Sequence, residues 1–216
     1  DSLYISASLI RHVNFPAIAS YAYRGGIRFG VAYSTTSMID DIIQYNSNKP
    51  IDQRIHFAVS EIEPYNTGDY AGMTATIKYA YPRLKAAGLS NVIYMGWPSP
   101  ASYWDTLLTY SDQINLHVYR TSSSMTPTSI WTYAYSRLLD ISNACVRLNK
   151  PTAVNIIYSC EPSFAYTYFQ NNRWQDAHAM FISEYDRNAT VAMKKYITVS
   201  SFSIFVTKYA KQIKPL

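Results

Sequence analysis

Seven short segments rich in β-branched and aromatic residues recur along this chain, and longer segments with helical spacing of apolar residues separate them. The predicted strands are 4–10, 27–34, 55–63, 91–97, 114–120, 152–159 and 197–206. Strands that alternate with helices require a parallel sheet with right-handed crossovers. Because seven such units are many for an open sheet, the order predicts an α/β fold, a TIM-type (β/α) barrel that lacks a regular eighth unit.

The length of 216 residues is enough to bury a sizeable core, and no linker divides the chain. We therefore expect a single (β/α)-barrel domain over residues 1–216. Two explanations for the lack of a regular eighth unit stay open. Either a strand precedes Asp1, or the barrel is incomplete. A chain that opens on Asp1 with a strand almost at once is typical of a processed product or an excised domain.

Charge and composition exclude some function classes. The formal net charge is +5, but the basic residues are scattered, so we expect no nucleic-acid partner. No apolar stretch is long enough to predict a membrane span. The 21 tyrosines offer flat rings with a hydroxyl, which suit contacts with sugars. Low charge density with abundant Tyr, Ser and Thr favours a secreted or extracellular protein, while the oligomeric state stays open.

The two cysteines predict neither a disulfide nor a metal site. Cys145 falls near the end of a predicted helix and Cys160 at the far end of the next strand, which separates them by more than the roughly 7 Å that a disulfide spans. We expect two free thiols. His12, His56 and His178 show no metal-binding spacing, and no glycine-rich phosphate loop follows a strand, so we expect no metal and no cofactor.

Two predicted strands end in the same dipeptide, Glu-Pro. The first is Glu63-Pro64 in RIHFAVSEIEPY, and the second is Glu161-Pro162 in TAVNIIYSCEPSF. Proline cannot donate to a sheet ladder, so each pair marks a strand end with a carboxylate at the edge of the sheet. In a barrel, the catalytic residues lie at this edge of the sheet. A glycosidase typically uses two carboxylates there.

The residues at the strand ends are polar and aromatic, as a sugar site requires. The catalytic candidates are Glu63, Glu161 and Glu61, and the substrate-binding candidates are Trp97, His117, Tyr119, Tyr158, Tyr65 and Asn66; Arg120 also lies at a strand end. Carboxylates supply proton transfer or nucleophilic attack, and aromatic rings supply a platform for the sugar face.

The alternation of residue types predicts which of these side chains face away from the helices. His117 and Tyr119 alternate with apolar residues of their strand, and Ser159 and Glu161 share one face of theirs. We therefore expect all four to point toward the barrel interior.

The strand that precedes Glu63 gives a different expectation. Ile55, Phe57 and Val59 form the predicted helix-facing set, and Glu61 and Glu63 share their parity. A bulge near Ser60 would turn both carboxylates inward.

These motifs resemble those of barrel glycoside hydrolases, and two variants of the family compete. Clan-A retaining enzymes carry the acid/base at the end of strand four, usually in Asn-Glu-Pro, and the nucleophile at the end of strand seven. If one strand is missing before Asp1, the resemblance assigns these roles to Glu63 and Glu161. Ile62 stands where that family has Asn.

Chitinase-like enzymes instead carry alternating acids that end in a catalytic glutamate on strand four. Glu61-Ile62-Glu63 resembles a shortened version of that motif, with Phe57 and Ala58 near the positions of the upstream acids.

The resemblance implies a hydrolase that acts on polysaccharide or oligosaccharide by carboxylate acid/base chemistry. It implies carboxyl groups about 5–5.5 Å apart in a retaining enzyme and about 6.5–9.5 Å apart in an inverting one. The alternative is a barrel that has lost catalysis and serves as a carbohydrate-binding or structural module. A lyase or aldolase is disfavoured because no strand ends in a lysine or a metal cluster.

Overall fold

The computed structural model of the chain describes residues 2–62, 68–95 and 100–205. The chain divides into two compact units. The first comprises Asp1–Tyr94 and Thr109–Gln113, and the second comprises Met95–Leu108 and Ile114–Leu216. The expectation of one domain stays a prediction.

Parallel strands alternate with helices in the first unit. Its strands are β1 (Ser2–Ser6), β2 (Arg28–Tyr33), β3 (Phe57–Ser60) and β4 (Ser90–Met95), and its helices are α1 (Phe15–Arg24), α2 (Thr36–Ser47) and α3 (Tyr70–Ala86). Short 3₁₀ turns at Ala7–Leu9 and Ile51–Gln53 follow β1 and precede β3. The four strands are neighbours in chain order.

Side chains at the helix ends explain where these helices begin and stop. The Thr35 hydroxyl accepts a hydrogen bond from the Met38 N–H and so caps the start of α2. The Asp69 carboxylate accepts one from the Gly72 N–H at the start of α3. Gly88 follows α3 with φ of 74°, a left-handed conformation that glycine adopts without strain.

One face of β2 and β3 packs against the helices. Phe29, Val31 and Ala58 lie in one buried cluster with side chains of α2 and α3, which are Ile39, Ile42, Ala80 and Leu84. Residues at the intervening positions of the same strands therefore lie on the opposite face.

Phe57 shows that β3 has the opposite phase from the predicted one. It pairs with Gly30, where an added Cβ would come within 2.4 Å of the Phe57 ring. The Arg28 guanidinium carbon lies 5.4 Å from the centre of the same ring. Phe57 and Val59 thus lie on the face opposite the helices, and the prediction that they face the helices is wrong.

The strand begins later than its sequence pattern indicated. Ile55 does pack among the helices, where the Asn46 side chain bonds to both its N–H and its C=O, but β3 begins only at Phe57. The Glu61 N–H continues the ladder to the Tyr33 carbonyl at 2.9 Å. Glu61 therefore shares the face of Phe57 without the predicted bulge.

The second unit also alternates strands and helices. Its elements are α4 (Ala101–Thr109), β5 (Gln113–His117), α5 (Pro127–Leu148), β6 (Thr152–Ser159), α6 (Tyr166–Asn171), α7 (Trp174–Asn188), α8 (Val191–Tyr196) and β7 (Ile197–Phe205), with a 3₁₀ turn at Ser122–Ser124. The strands are neighbours in the order β5, β6, β7. The register of β6 and β7 shifts between Val154 and Asn155.

A polar cluster marks the face of these strands that lies opposite the helices. Asn155 donates to Asn115 at 3.2 Å and to Ser203 at 2.7 Å, and it accepts from Ser201 at 2.8 Å. Tyr158 faces the other way, toward α7, where its hydroxyl donates to a backbone carbonyl. The predicted alternation of β5 and β6 is confirmed.

The residues that the structure describes form seven strands alternating with helices, which is the predicted α/β class, an incomplete (β/α) barrel. Both cysteines are free, as predicted, and both are buried. None of the described helices is long and apolar enough to cross a membrane.

Candidate functional site

A carboxylate and two aromatic rings lie where β5 and β6 of the second unit end. The rings of Tyr119 and Phe164 are 5.1 Å apart and tilted by 51°. Glu161 and Phe164 close one turn, in which the Phe164 N–H donates to the Glu161 carbonyl at 2.9 Å. All three side chains are partly exposed. We call Tyr119, Glu161 and Phe164 the rim site.

Ser159 fixes the backbone at Glu161. Its hydroxyl accepts a hydrogen bond from the Glu161 N–H at 3.2 Å and lies 3.5 Å from the Glu161 carboxylate. Ser159 is buried at the end of β6, so its hydroxyl holds the backbone of the partly exposed Glu161 in place.

His117 forms the floor beneath Tyr119. Its ring stacks on the Tyr119 ring with centres 4.4 Å apart and planes 9° apart, and the side chain is 4% exposed. Burial, followed by the positive charge of Arg137, lowers the pKa of His117 to about 3. The imidazole is therefore neutral at physiological pH.

Arg137 reaches this strand from α5. Its guanidinium donates to the His117 carbonyl at 2.9 Å and also to the Tyr133 carbonyl, and the residue is 2% exposed. Sequence reasoning did not identify Arg137, although a basic residue beside the apolar stripe of a buried helix is the signal that could have shown it.

Glu61 occupies a comparable position in the first unit. It follows β3 directly on the face opposite the helices. Burial, with the negative charge of Glu61 as a smaller cause, raises the pKa of the Tyr4 hydroxyl. Glu61 therefore lies close enough to Tyr4 for their charges to interact.

The remaining predicted residues fall into two groups. Tyr158 is fully buried between β6 and the helices, where its hydroxyl donates to the Ala177 carbonyl at 3.3 Å. Its ring is therefore part of the core, and we assign it no contact with substrate. The others, Glu63, Tyr65, Asn66 and Trp97, lie outside the described residues.

A search of the described residues finds no cluster of three or more His, Cys, Asp or Glu side chains that could hold a metal ion. The polar side-chain groups of the rim site are the Glu161 carboxylate and the Tyr119 hydroxyl. Such groups can accept and donate hydrogen bonds to a polyhydroxylated ligand.

Comparison with known proteins finds matches among solved structures alone. No protein-family model matches the chain, and no curated protein matches its sequence. Among solved structures, a chitinase from Chromobacterium violaceum ATCC 12472 has 10% sequence identity and a TM-score of 0.47, covering 74% of this chain and 60% of that one. Concanavalin B has 13% identity and a TM-score of 0.38, covering 73% of this chain and 60% of that one. The chain thus spans about 60% of the length of the structures that it resembles.

Proposed function

We propose that the chain binds carbohydrate at the rim site. The observation that supports this most is the pairing of two partly exposed aromatic rings, Tyr119 and Phe164, with the carboxylate of Glu161 on one turn. Ring faces of this kind pack against the apolar face of a sugar, and a carboxylate accepts hydrogen bonds from its hydroxyl groups.

The support beneath the rim site favours binding because it holds the rings in place. Tyr119 stacks on a buried, neutral His117, whose backbone carbonyl is bonded in turn to Arg137. A ring that is already fixed loses little conformational entropy when a ligand packs on it.

The test is calorimetric titration of the purified chain with a panel of soluble oligosaccharides. We expect Tyr119→Ala and Glu161→Gln each to weaken binding about tenfold, which corresponds to about 1.4 kcal/mol. Tyr21→Ala is the matched control, because Tyr21 is 75% exposed in the first unit. Binding that is unchanged in Tyr119→Ala, or wild-type protein that binds no member of the panel, would overturn the proposal.

Glycoside hydrolysis is the second candidate. Glu61 directly follows β3 and Glu161 follows β6, each at the carboxyl end of a strand and on the face opposite the helices of its own unit. Glu63 in the segment EIEPYN is the acid/base that the motif implies, with Glu161 as its nucleophile.

Release of reducing ends separates the two candidates. Hydrolysis predicts turnover by the wild type that falls at least a hundredfold in Glu63→Gln and in Glu161→Gln, the usual size of a general acid–base contribution. A wild type that binds sugar and releases no product supports the binding module. Activity that survives Glu63→Gln would end the assignment of Glu63.

A further inference from the structure

We propose that the free edge of β1 binds a second copy of this chain, with the two β1 strands paired antiparallel about Tyr4. The interface lies on the first unit and shares no residue with the rim site. It therefore stands apart from the proposed carbohydrate binding.

The strand β1 has one side available for pairing. It stands first in the sheet order, and among the described strands it pairs with β2 alone. Proteins usually protect such an edge from association with charged residues, proline or a bulge. The strand reads Ser-Leu-Tyr-Ile-Ser, which contains no charge and no proline, and its register with β2 is regular. Its backbone groups can thus pair with a strand of another molecule.

The sequence of β1 selects its own copy as the partner, because it reads almost the same in both directions. Antiparallel pairing about Tyr4 places Ser2 opposite Ser6, Leu3 opposite Ile5, and Tyr4 opposite its own copy. A two-fold interface brings the same surface of both molecules together, so it requires a surface of this self-complementary kind. Each opposed pair joins residues of like size and polarity, and such pairs stabilise a sheet.

The two faces of β1 also match in this arrangement. Leu3 is in register with Phe29, which packs among the helices, and yet Leu3 is 44% exposed. Tyr4 is in register with Gly30, on the face that holds Phe57. The two-fold axis of an antiparallel pair is perpendicular to the sheet, so each face stays on its own side. Leu3 therefore meets Ile5 of the second copy on the helix side, which covers an exposed apolar side chain.

Helix α1 extends this apolar surface beside β1. Its Ser20 donates to Asp52 in the 3₁₀ turn before β3, so that side of α1 faces β3. Residues of a helix are about 100° apart, which places Ile18 about 160° round the axis from Ser20, on the side away from β3. Tyr21 lies one turn after Ile18. These two side chains are 40% and 75% exposed, and a helix layer continued by a second copy would cover them.

Sedimentation of the full chain over a wide range of protein concentration tests the association. We expect a reversible dimer, and we expect Leu3→Lys to raise its dissociation constant at least about tenfold, because the substitution puts a charge against Ile5 of the second copy. Ile51→Lys is the matched control. Ile51 is also an exposed apolar residue of the first unit, at 65%, but it lies in the turn on the other side of α1. We expect it to leave the dimer unchanged.

Cysteine cross-linking tests the register. Opposed residues of an antiparallel pair are close enough for a disulfide, so Tyr4→Cys should give a covalent dimer on mild oxidation. Leu3→Cys should not cross-link to itself, but a mixture of Leu3→Cys and Ile5→Cys chains should. The wild type should stay uncrosslinked, because Cys145 and Cys160 are both buried.

A wild type that stays monomeric at every concentration would overturn the inference. A dimer that Leu3→Lys leaves intact would also overturn it, since association would then use another surface. Cross-linking of Leu3→Cys alone, with none in the mixture, would contradict the register about Tyr4. Thermal unfolding checks that each variant folds, and the mixture of Leu3→Cys and Ile5→Cys still tests the register if Tyr4→Cys does not fold.

Discussion

Ser122 donates two hydrogen bonds to the carbonyl oxygen of Phe164, from its N–H at 3.0 Å and from its hydroxyl at 3.2 Å. The same hydroxyl accepts a third bond from the N–H of Tyr168 at 3.0 Å. One serine on the segment after β5 thus holds the segment after β6, and the rim site draws one aromatic ring from each.

Replacing Ser122 with alanine should loosen the rim site. The substitution removes both bonds of the hydroxyl and keeps the bond of the backbone N–H, so we expect the free energy of unfolding to fall by about 1 kcal/mol. Carbohydrate affinity should fall further than stability alone explains, because the spacing of Tyr119 and Phe164 is no longer fixed. Chemical denaturation and calorimetric titration measure the two effects.

Ser123→Ala is the matched control for this prediction. Ser123 lies in the same 3₁₀ turn, but within the described part of the chain its hydroxyl bonds only to the exposed Thr121 hydroxyl, at 3.3 Å. We expect Ser123→Ala to change neither quantity, and Ser122→Thr to restore most of both. Equal effects of Ser122→Ala and Ser123→Ala on affinity would show that the hydroxyl of Ser122 does not position the site.

His117 should make the stability of the protein depend on pH. Its pKa is about 3 in the folded state and about 6.5 when unfolded, so the unfolded chain binds one more proton between these values. The contribution is fully present above about pH 6.5 and is lost as the pH falls toward 3, at up to about 1.4 kcal/mol per pH unit.

Denaturation curves over this range test the role of His117. His56 and His178 also have lowered pKa values because of burial. The wild type should therefore lose stability as the pH falls, with a slope to which all three histidines contribute. His117→Gln should make the dependence of the free energy of unfolding on pH shallower by the contribution of one proton, which is about 1.4 kcal/mol per pH unit. A slope that is the same in both proteins would contradict the burial of a neutral imidazole at this position.

Removing the ring that covers His117 should raise its pKa toward the ordinary value. Tyr119→Ala exposes the imidazole to water, whereas Tyr119→Phe keeps the stacked ring. We expect the ring signals of His117, followed by NMR against pH, to titrate above pH 4 in Tyr119→Ala and not in Tyr119→Phe. A midpoint near 6.5 in the wild type would show that Tyr119 does not shield this histidine.

The faces of β5 and β6 could be predicted because polar and apolar residues alternate in them, which assigned His117 and Glu161 correctly to the face opposite the helices. The same reasoning failed for β3. All four residues of Phe57–Ser60 are buried, and a strand buried on both faces has no polar alternation to reveal its phase. Only the pairing of Phe57 with Gly30 settles which face holds Glu61.

The contacts around the rim site could not be predicted, because they join residues far apart in the chain. The segment after Glu161 contains the helix α6, whose Phe169 is 1% exposed and anchors a stretch of poor intrinsic helix formers. Ser122 meets Phe164 across 42 positions, and neither residue belongs to a motif. The proximity of Arg120 and Arg137 likewise depends on how α5 packs against the end of β5.

Gly30 offers a test of the phase of β3, and hence of the position of Glu61. In Gly30→Ala the new methyl group would come within 2.4 Å of the Phe57 ring, so the ring must move, and we expect a loss of about 1–3 kcal/mol in the free energy of unfolding. Phe57→Leu makes room for the methyl group, at the cost of the contact between the ring and Arg28. The double variant should therefore lose less free energy of unfolding than the two single variants lose in total.

A double-mutant cycle by chemical denaturation measures this coupling. Two residues in direct contact should give an interaction energy of about 0.5–3 kcal/mol, whereas residues on opposite faces of the sheet should give losses that add. Val31→Ala with Phe57→Leu is the control cycle, because Val31 is buried in the cluster between β2 and the helices, on the other face. Additive losses in the Gly30 cycle would mean that Phe57 faces the helices, and Glu61, two positions after Val59, would then lie on the helix face as well.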